Sequence, residues 1–97
     1  MRILNKDLLE NFAIRHADSK TALNRWIQFM EEASCETHAE LKQLFPSVDY
    51  VGNSRYVFNI RGNNYRIVVA IVFIAGLASI RFIGTHADYN KINCSTI

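Results

Sequence analysis

The sequence predicts an α+β fold, with two to three N-terminal helices packed on a small antiparallel β-sheet and a short C-terminal helical turn. Three observations predict it. Apolar residues recur at three- and four-residue spacing through about residue 45, then at every second position from Tyr56 onward. Gly62-Asn63-Asn64 and Ile74-Ala75-Gly76 divide the alternating half into hairpin-connected strands. A length of 97 residues, with 49% apolar and 21% charged residues, suits a single folded domain over residues 1–97.

The elements follow in order. Leu8, Leu9, Phe12 and Ala13 form one apolar stripe over about Lys6–Arg15, with Asn5 as the expected N-cap. Asp18 or Ser19 opens a second helix over roughly Lys20–Ala33, whose buried face is Ala22, Leu23, Trp26, Ile27 and Met30. Glu31 and Glu32 near its end read as solvated charges. Thr37 and Glu40 make a capping-box pattern for a short helix through about Leu44, which Pro46 stops. Leu41, Leu44 and Phe45 would pack that helix onto the domain.

From Tyr56 the period is two. Tyr56, Phe58 and Ile60 share one face of the first strand, while Val57, Asn59 and Arg61 share the other. The second strand, Tyr65–Phe73, turns Tyr65, Ile67, Val69, Ile71 and Phe73 to the core, and Arg66, Val68, Ala70 and Val72 away from it. Leu77–Ile83 returns as the third strand, on which simple alternation groups Arg81 with Ser79 and Ile83. The outer face is partly apolar through Val57, Val68, Ala70 and Val72. A C-terminal segment, a partner or both must cover it.

Charge is distributed unevenly. Residues 1–50 hold six Lys/Arg against eight Asp/Glu, whereas residues 51–97 hold five against Asp88 alone. A half bearing Arg55, Arg61, Arg66 and Arg81 suits a polyanion, because the planar arginine fork matches phosphate. The alternative is a set of arginines bound to helix carboxylates.

Several classes are set aside. Cys35 and Cys94 lie far apart with no metal-ligand spacing, and no signal peptide is apparent, so free thiols in a reducing cytoplasm are expected. The uncharged run of 14 residues from Ile67 to Ile80 is shorter than the roughly 18 that a membrane span needs, and Gly76 breaks it. Phosphate-cradling glycine loops, CxxC pairs and Ser-His-Asp arrangements are absent. With one acidic residue in the second half, a two-metal mechanism lacks ligands, so neither metal nor cofactor is expected.

The stretch RYVFNIRGNNYRIVVAIVF, followed by a glycine turn and IRFIGTHADYNKI, closely resembles the HigB toxin family. These are RelE/ParE-superfamily mRNA interferases of type II toxin–antitoxin modules. The AELKQLFPSVD segment fits the same family, and the resemblance spans about residues 5–92. It is specific in the ordered run Arg55, Asn59, Arg66, Arg81, Gly84, Thr85, His86, Tyr89 and Lys91. It departs from the wider superfamily at Val57 and Asn59, where basic residues are common, so only HigB-like positions carry over.

The resemblance implies one RelE-like toxin domain that acts in the cytoplasm as an mRNA endoribonuclease on the ribosome. It also implies a HigA-like helix-turn-helix antitoxin, with DNA reached only through that partner. The alternative within the superfamily is a non-enzymatic toxin of the same fold that binds a protein target such as gyrase. The His86-bearing motif favours the ribonuclease branch.

Metal-free RNA cleavage needs a base for the 2′-OH, cations for the charge growing on phosphorus, and an acid for the leaving 5′-oxygen. His86 is the acid/base candidate, since imidazole titrates near neutrality and His86 follows a strand end. Its structural alternative is to cap the turn behind it. Arg66 is expected on a phosphate, or else in an ion pair with Glu36 or Glu40. Tyr89, three residues after His86, stacks on a base or assists proton transfer, or merely closes the core edge. Arg61, Asn59, Arg81 and Lys91 are candidate RNA contacts, with Arg81 equally readable as scaffold. Thr85 reads as a helix cap, Asp88 as a group that could orient His86, and His16 and His38 as surface residues.

Overall fold

The computed structural model describes residues 1–97. Five strands form one sheet in the order β1-β5-β4-β3-β2, with three helices on one face and a short fourth helix at the other. The strands are β1 Arg2–Leu4, β2 Asp49–Gly52, β3 Arg55–Ile60, β4 Tyr65–Val72 and β5 Leu77–Thr85. The helices are α1 Asp7–Arg15, α2 Lys20–Glu32, α3 His38–Leu44 and α4 His86–Tyr89. No helix is long and apolar enough to cross a membrane.

The α+β expectation holds, with one correction. The sheet is not wholly antiparallel, because β1 runs parallel to β5, pairing Arg2–Leu4 with Leu77–Ser79. Neither β1 nor β2 was legible in the sequence, since strands of three and four residues are too short to establish a period. Asn5 does not cap α1. It adopts a left-handed backbone (φ 62°), and its side chain donates to the Ile80 carbonyl at 3.3 Å, tying β1 to β5. Glu31 is not merely solvated, because it pairs with Lys6 at 2.9 Å.

Leu9, Phe12, Leu23, Trp26, Met30 and Leu41 bring the helices onto Tyr56, Phe58, Ile60, Tyr65, Ile67, Val69 and Ile71, as the periodicity requires. Leu8 and Leu44 are exceptions, 40% and 55% exposed. Thr37 caps α3 through its Oγ1, which accepts from Glu40 N–H at 3.2 Å, and the Glu40 carboxylate accepts from Glu36 N–H at 2.8 Å. His16 and His38 are not idle surface residues. His16 stacks on Phe12 at 4.2 Å, and His38 Nδ1 lies 3.0 Å from the Tyr56 hydroxyl. Burial, and then Tyr50 beside it, push the Tyr56 phenol up from its ordinary value.

Two departures from simple alternation position the site. Between Val68 and Val69 the β4–β5 register slips by one residue, so Val69 faces Ile80 while Val68 faces Phe82. Arg81 is the extra residue of this bulge. Phe82 and Gly84 therefore lie on the outer face, and Ile83 packs against the core. The expected grouping of Arg81 with Ser79 and Ile83 is thus corrected. Secondly, Arg61 leaves β3 with φ 52° and turns to Asp18 at 2.9 Å, instead of continuing the Asn59 side.

Candidate active site on the outer sheet face

The site is built where β4, β5 and α4 meet. Val57 and Val68 form its apolar floor, 3% and 0% exposed yet separate from the main core. Asn59 and Arg66 are cross-strand partners above it, and Arg66 lies opposite Gly84. A Cβ on Gly84 would stand 2.5 Å from the Phe82 ring and 3.1 Å from Asp88 Cβ. Glycine is therefore what lets Phe82 and α4 close over the sheet.

At that point β5 becomes helix because Thr85 caps it. Its Oγ1 accepts from Asp88 N–H at 3.2 Å, while the Asp88 carboxylate accepts from Thr85 N–H at 3.4 Å. Asp88 thus spends its side chain on the capping box and makes no bond to His86. His86, the first residue of α4, is exposed. Tyr89 follows three residues later on the same helical side. Its ring lies beneath the Arg66 guanidinium carbon at 4.7 Å from the ring centroid.

Arg66 makes no ion pair with Glu36, Glu40 or any other carboxylate. Its Nε is buried without an acceptor, although the guanidinium is held by the ring. An arginine so placed keeps N–H donors for an incoming anion, and its stacking on the phenol fixes their direction.

The Tyr89 hydroxyl donates to Cys94 Sγ at 3.3 Å. Burial is the main cause raising the Tyr89 pKa, followed by that hydrogen bond and the Cys94 charge; Arg66 opposes the rise, and Asp49 adds to it. The phenol therefore stays protonated at neutral pH and serves as a ring and a donor.

Residues after α4 cover a further part of this face, while Val72 at its end stays 46% exposed. The Arg55 fork donates to the Ile97 carbonyl from Nε at 3.0 Å and from Nη2 at 2.8 Å, and the Asn53 amide donates to the Ser95 carbonyl at 2.9 Å. The expected C-terminal cover is present, and it delivers Cys94 to Tyr89.

Of the seven candidate residues, the fold gathers Arg66, Tyr89, His86 and Asn59 around α4. Arg61 lies at the β3–β4 turn, bound to Asp18, which also accepts from the Tyr65 hydroxyl at 2.6 Å. Arg81 is turned by its bulge into a groove with Arg15 and Ile14 of α1. Lys91 is exposed and unpaired just past α4. Cys94 was missed as the Tyr89 partner because the irregular path after α4 has no period to read, and Arg55 because its contact with Ile97 joins residues far apart in sequence. No three His, Cys, Asp or Glu side chains converge as a metal-binding set.

Three helices backing a five-stranded, mostly antiparallel sheet, with a short C-terminal helix, form an α+β architecture consistent with the RelE-like toxins of toxin–antitoxin systems. The chain belongs to the HigB toxin family, whose profile, described as the RelE-like toxic component of a toxin–antitoxin system, matches residues 19–92. Membership implies an antitoxin partner. The chain is 29% identical over 94 residues to the mRNA interferase HigB of Escherichia coli O6:H1, covering 95% of this chain and 91% of that protein. It is also 29% identical over 93 residues to the mRNA interferase toxin HigB of Escherichia coli K12, covering 93% and 88% respectively.

Proposed function

We propose that this toxin is an endoribonuclease that cuts mRNA on the ribosome in the cytoplasm and is neutralised by a HigA-like helix-turn-helix antitoxin. The observation that carries the catalytic assignment is Arg66, unpaired by any carboxylate and stacked on Tyr89 beneath the helix that begins with His86.

The reaction moves two protons. The 2′-oxygen attacks the adjacent phosphorus as its proton passes to a base. The bond from phosphorus to the 5′-oxygen breaks, and that oxygen takes a proton from an acid. The products are a 2′,3′-cyclic phosphate and a 5′-hydroxyl. His86 is the proton-transfer group, exposed where a ribose would approach. Arg66 supplies cationic donors for the charge growing on the phosphoryl oxygens. Tyr89 orients Arg66 and offers a ring edge against a base. Asn59, next to Arg66, holds the flanking backbone. A DNA strand lacks the 2′-OH and is inert in this chemistry.

Primer extension on mRNA from cells expressing the chain tests the reading. Growth arrest with discrete mRNA cuts is expected, and His86→Ala with Arg66→Ala should abolish both. Arrest with intact mRNA and DNA-damage signalling would instead indicate the gyrase-type alternative.

A further inference from the structure

We infer that the open edge of β3 forms a second RNA subsite, a pocket that grips a nucleotide flanking the cut. This inference rests on the RNA-cleaving reading and extends its substrate track.

Pairing of β2 with β3 runs only as far as Val57, so beyond that residue β3 has no strand on its outer side. A cavity of about 340 Å³ opens there, walled by Arg25, Trp26, Phe29, Phe45, Asn59 and Arg61 among others. Four features equip it for a nucleotide. Trp26 is 4% exposed, and its buried indole N–H has no acceptor. A buried donor without a partner is costly, and a ligand that brings an acceptor removes that cost. Arg25 is exposed and makes no ion pair, while Arg61 at the rim commits one guanidinium nitrogen to Asp18. Phe29 is 55% exposed, a large flat ring beside Leu44 and Phe45 that stacks on no other ring.

Indole and guanidinium groups donate and cannot accept. The matching ligand therefore carries acceptors on an anionic backbone together with a flat face, which is the chemistry of a nucleotide. Continuity with the candidate active site favours RNA over a peptide. Asn59 walls the cavity and is also the cross-strand partner of Arg66. A strand bound at Arg66 passes Asn59 and rounds the sheet edge, reaching Arg25 and the Phe29 ring.

Trp26 is the only tryptophan, so its indole resonance and fluorescence are unambiguous in assignment. The test titrates the wild-type chain at low salt with a 2′-O-methylated RNA hexanucleotide, which cannot be cleaved. Saturable movement of the Trp26 Nε1–H signal, together with that of Arg66 Nε–H, is expected. Arg25→Ala, an exposed change that leaves the core alone, should weaken the midpoint several-fold. It should also lower the salt dependence by about 0.7 per lost phosphate contact. Phe29→Ala should weaken binding without changing that dependence.

An indole signal that stays fixed while Arg66 responds would overturn the subsite and leave the cleavage reading intact. Silence at both would likewise overturn the subsite, whereas cleavage on the ribosome is decided separately by the primer-extension experiment. An indole that ignores RNA and shifts only when the antitoxin is added would make this groove a protein interface, which also overturns the subsite.

Discussion

The two faces of β3 and β4 are made from alternating residues of the same two strands, yet they are covered very differently. On the inner face Tyr56, Phe58, Ile60, Ile67, Val69 and Ile71 are sealed beneath α1, α2 and α3. On the outer face Val57 and Val68 are equally dry, but their cover is a four-residue helix and an irregular segment held by Arg55 and Asn53. The inner face binds apolar to apolar and supplies stability. The outer face confines apolar contact to its centre and keeps Arg66, Asn59 and Tyr89 around it. A thin lid of this kind can hold charged donors near water without unfolding the sheet.

If the two faces serve these separate ends, loss of function and loss of stability separate by strand parity. The largest expected effect is on catalysis. His86→Ala should reduce single-turnover cleavage by about 10²–10⁴-fold. Arg66→Ala should be at least as severe, since electrostatic stabilisation is usually the larger contribution. Both should keep the wild-type melting curve. A collapse in stability in either variant would mean that the outer face is structural.

One position along, Ile67→Ala should do the reverse. It removes a fully buried side chain from the inner face and should cost about 2–5 kcal/mol in urea unfolding, with activity per folded molecule retained. Gly84→Ala tests the junction between the faces. The added methyl meets Phe82 and Asp88, so a cost of about 1–3 kcal/mol is expected, with reduced cleavage as α4 is pushed outward. Unchanged activity would show that the seating of α4 does not matter.

Arg55→Ala should be milder, lowering cleavage about 10-fold by releasing the segment that brings Cys94 to Tyr89. Cys94→Ser, which keeps an acceptor, should be milder still.

The smallest effect is alkaline. Tyr65 is raised mainly by its hydrogen bond to Asp18, and Tyr56 and Tyr89 mainly by burial. In the unfolded chain a tyrosine ionises near 10. The three phenols therefore contribute stability that is fully present below about pH 10 and is lost as pH rises through their folded values. Melting temperatures between pH 8 and 11 should fall at the alkaline end, and Tyr65→Phe should flatten that fall.

Much of the fold and of the candidate site is legible in the order of the residues alone. The three-and-four spacing locates all three large helices, and the Thr37-Glu40 pattern locates a cap that forms. Strict alternation assigns both faces of β3 and β4, so Arg66 and Asn59 fall on the outer face from sequence alone. Thr85 as a cap, with His86 and Tyr89 on one short helix, is equally readable. These features are local, set by backbone period and by hydrogen bonds between residues close in the chain.

What fails to read is non-local. Alternation misplaces Phe82 because the bulge at Arg81 arises from pairing with β4, which no period within β5 encodes. Arg61 is misplaced because its left-handed turn is closed by Asp18, distant in sequence. The parallel pairing of β1, the hold of Arg55 on Ile97 and the stacking of Arg66 on the Tyr89 ring likewise depend on segments that meet only when the chain folds. The sequence by itself thus determined which side chains are available on each face. Tertiary structure decided which of them touch, because register, bulges and chain crossings are settled between elements and not within them.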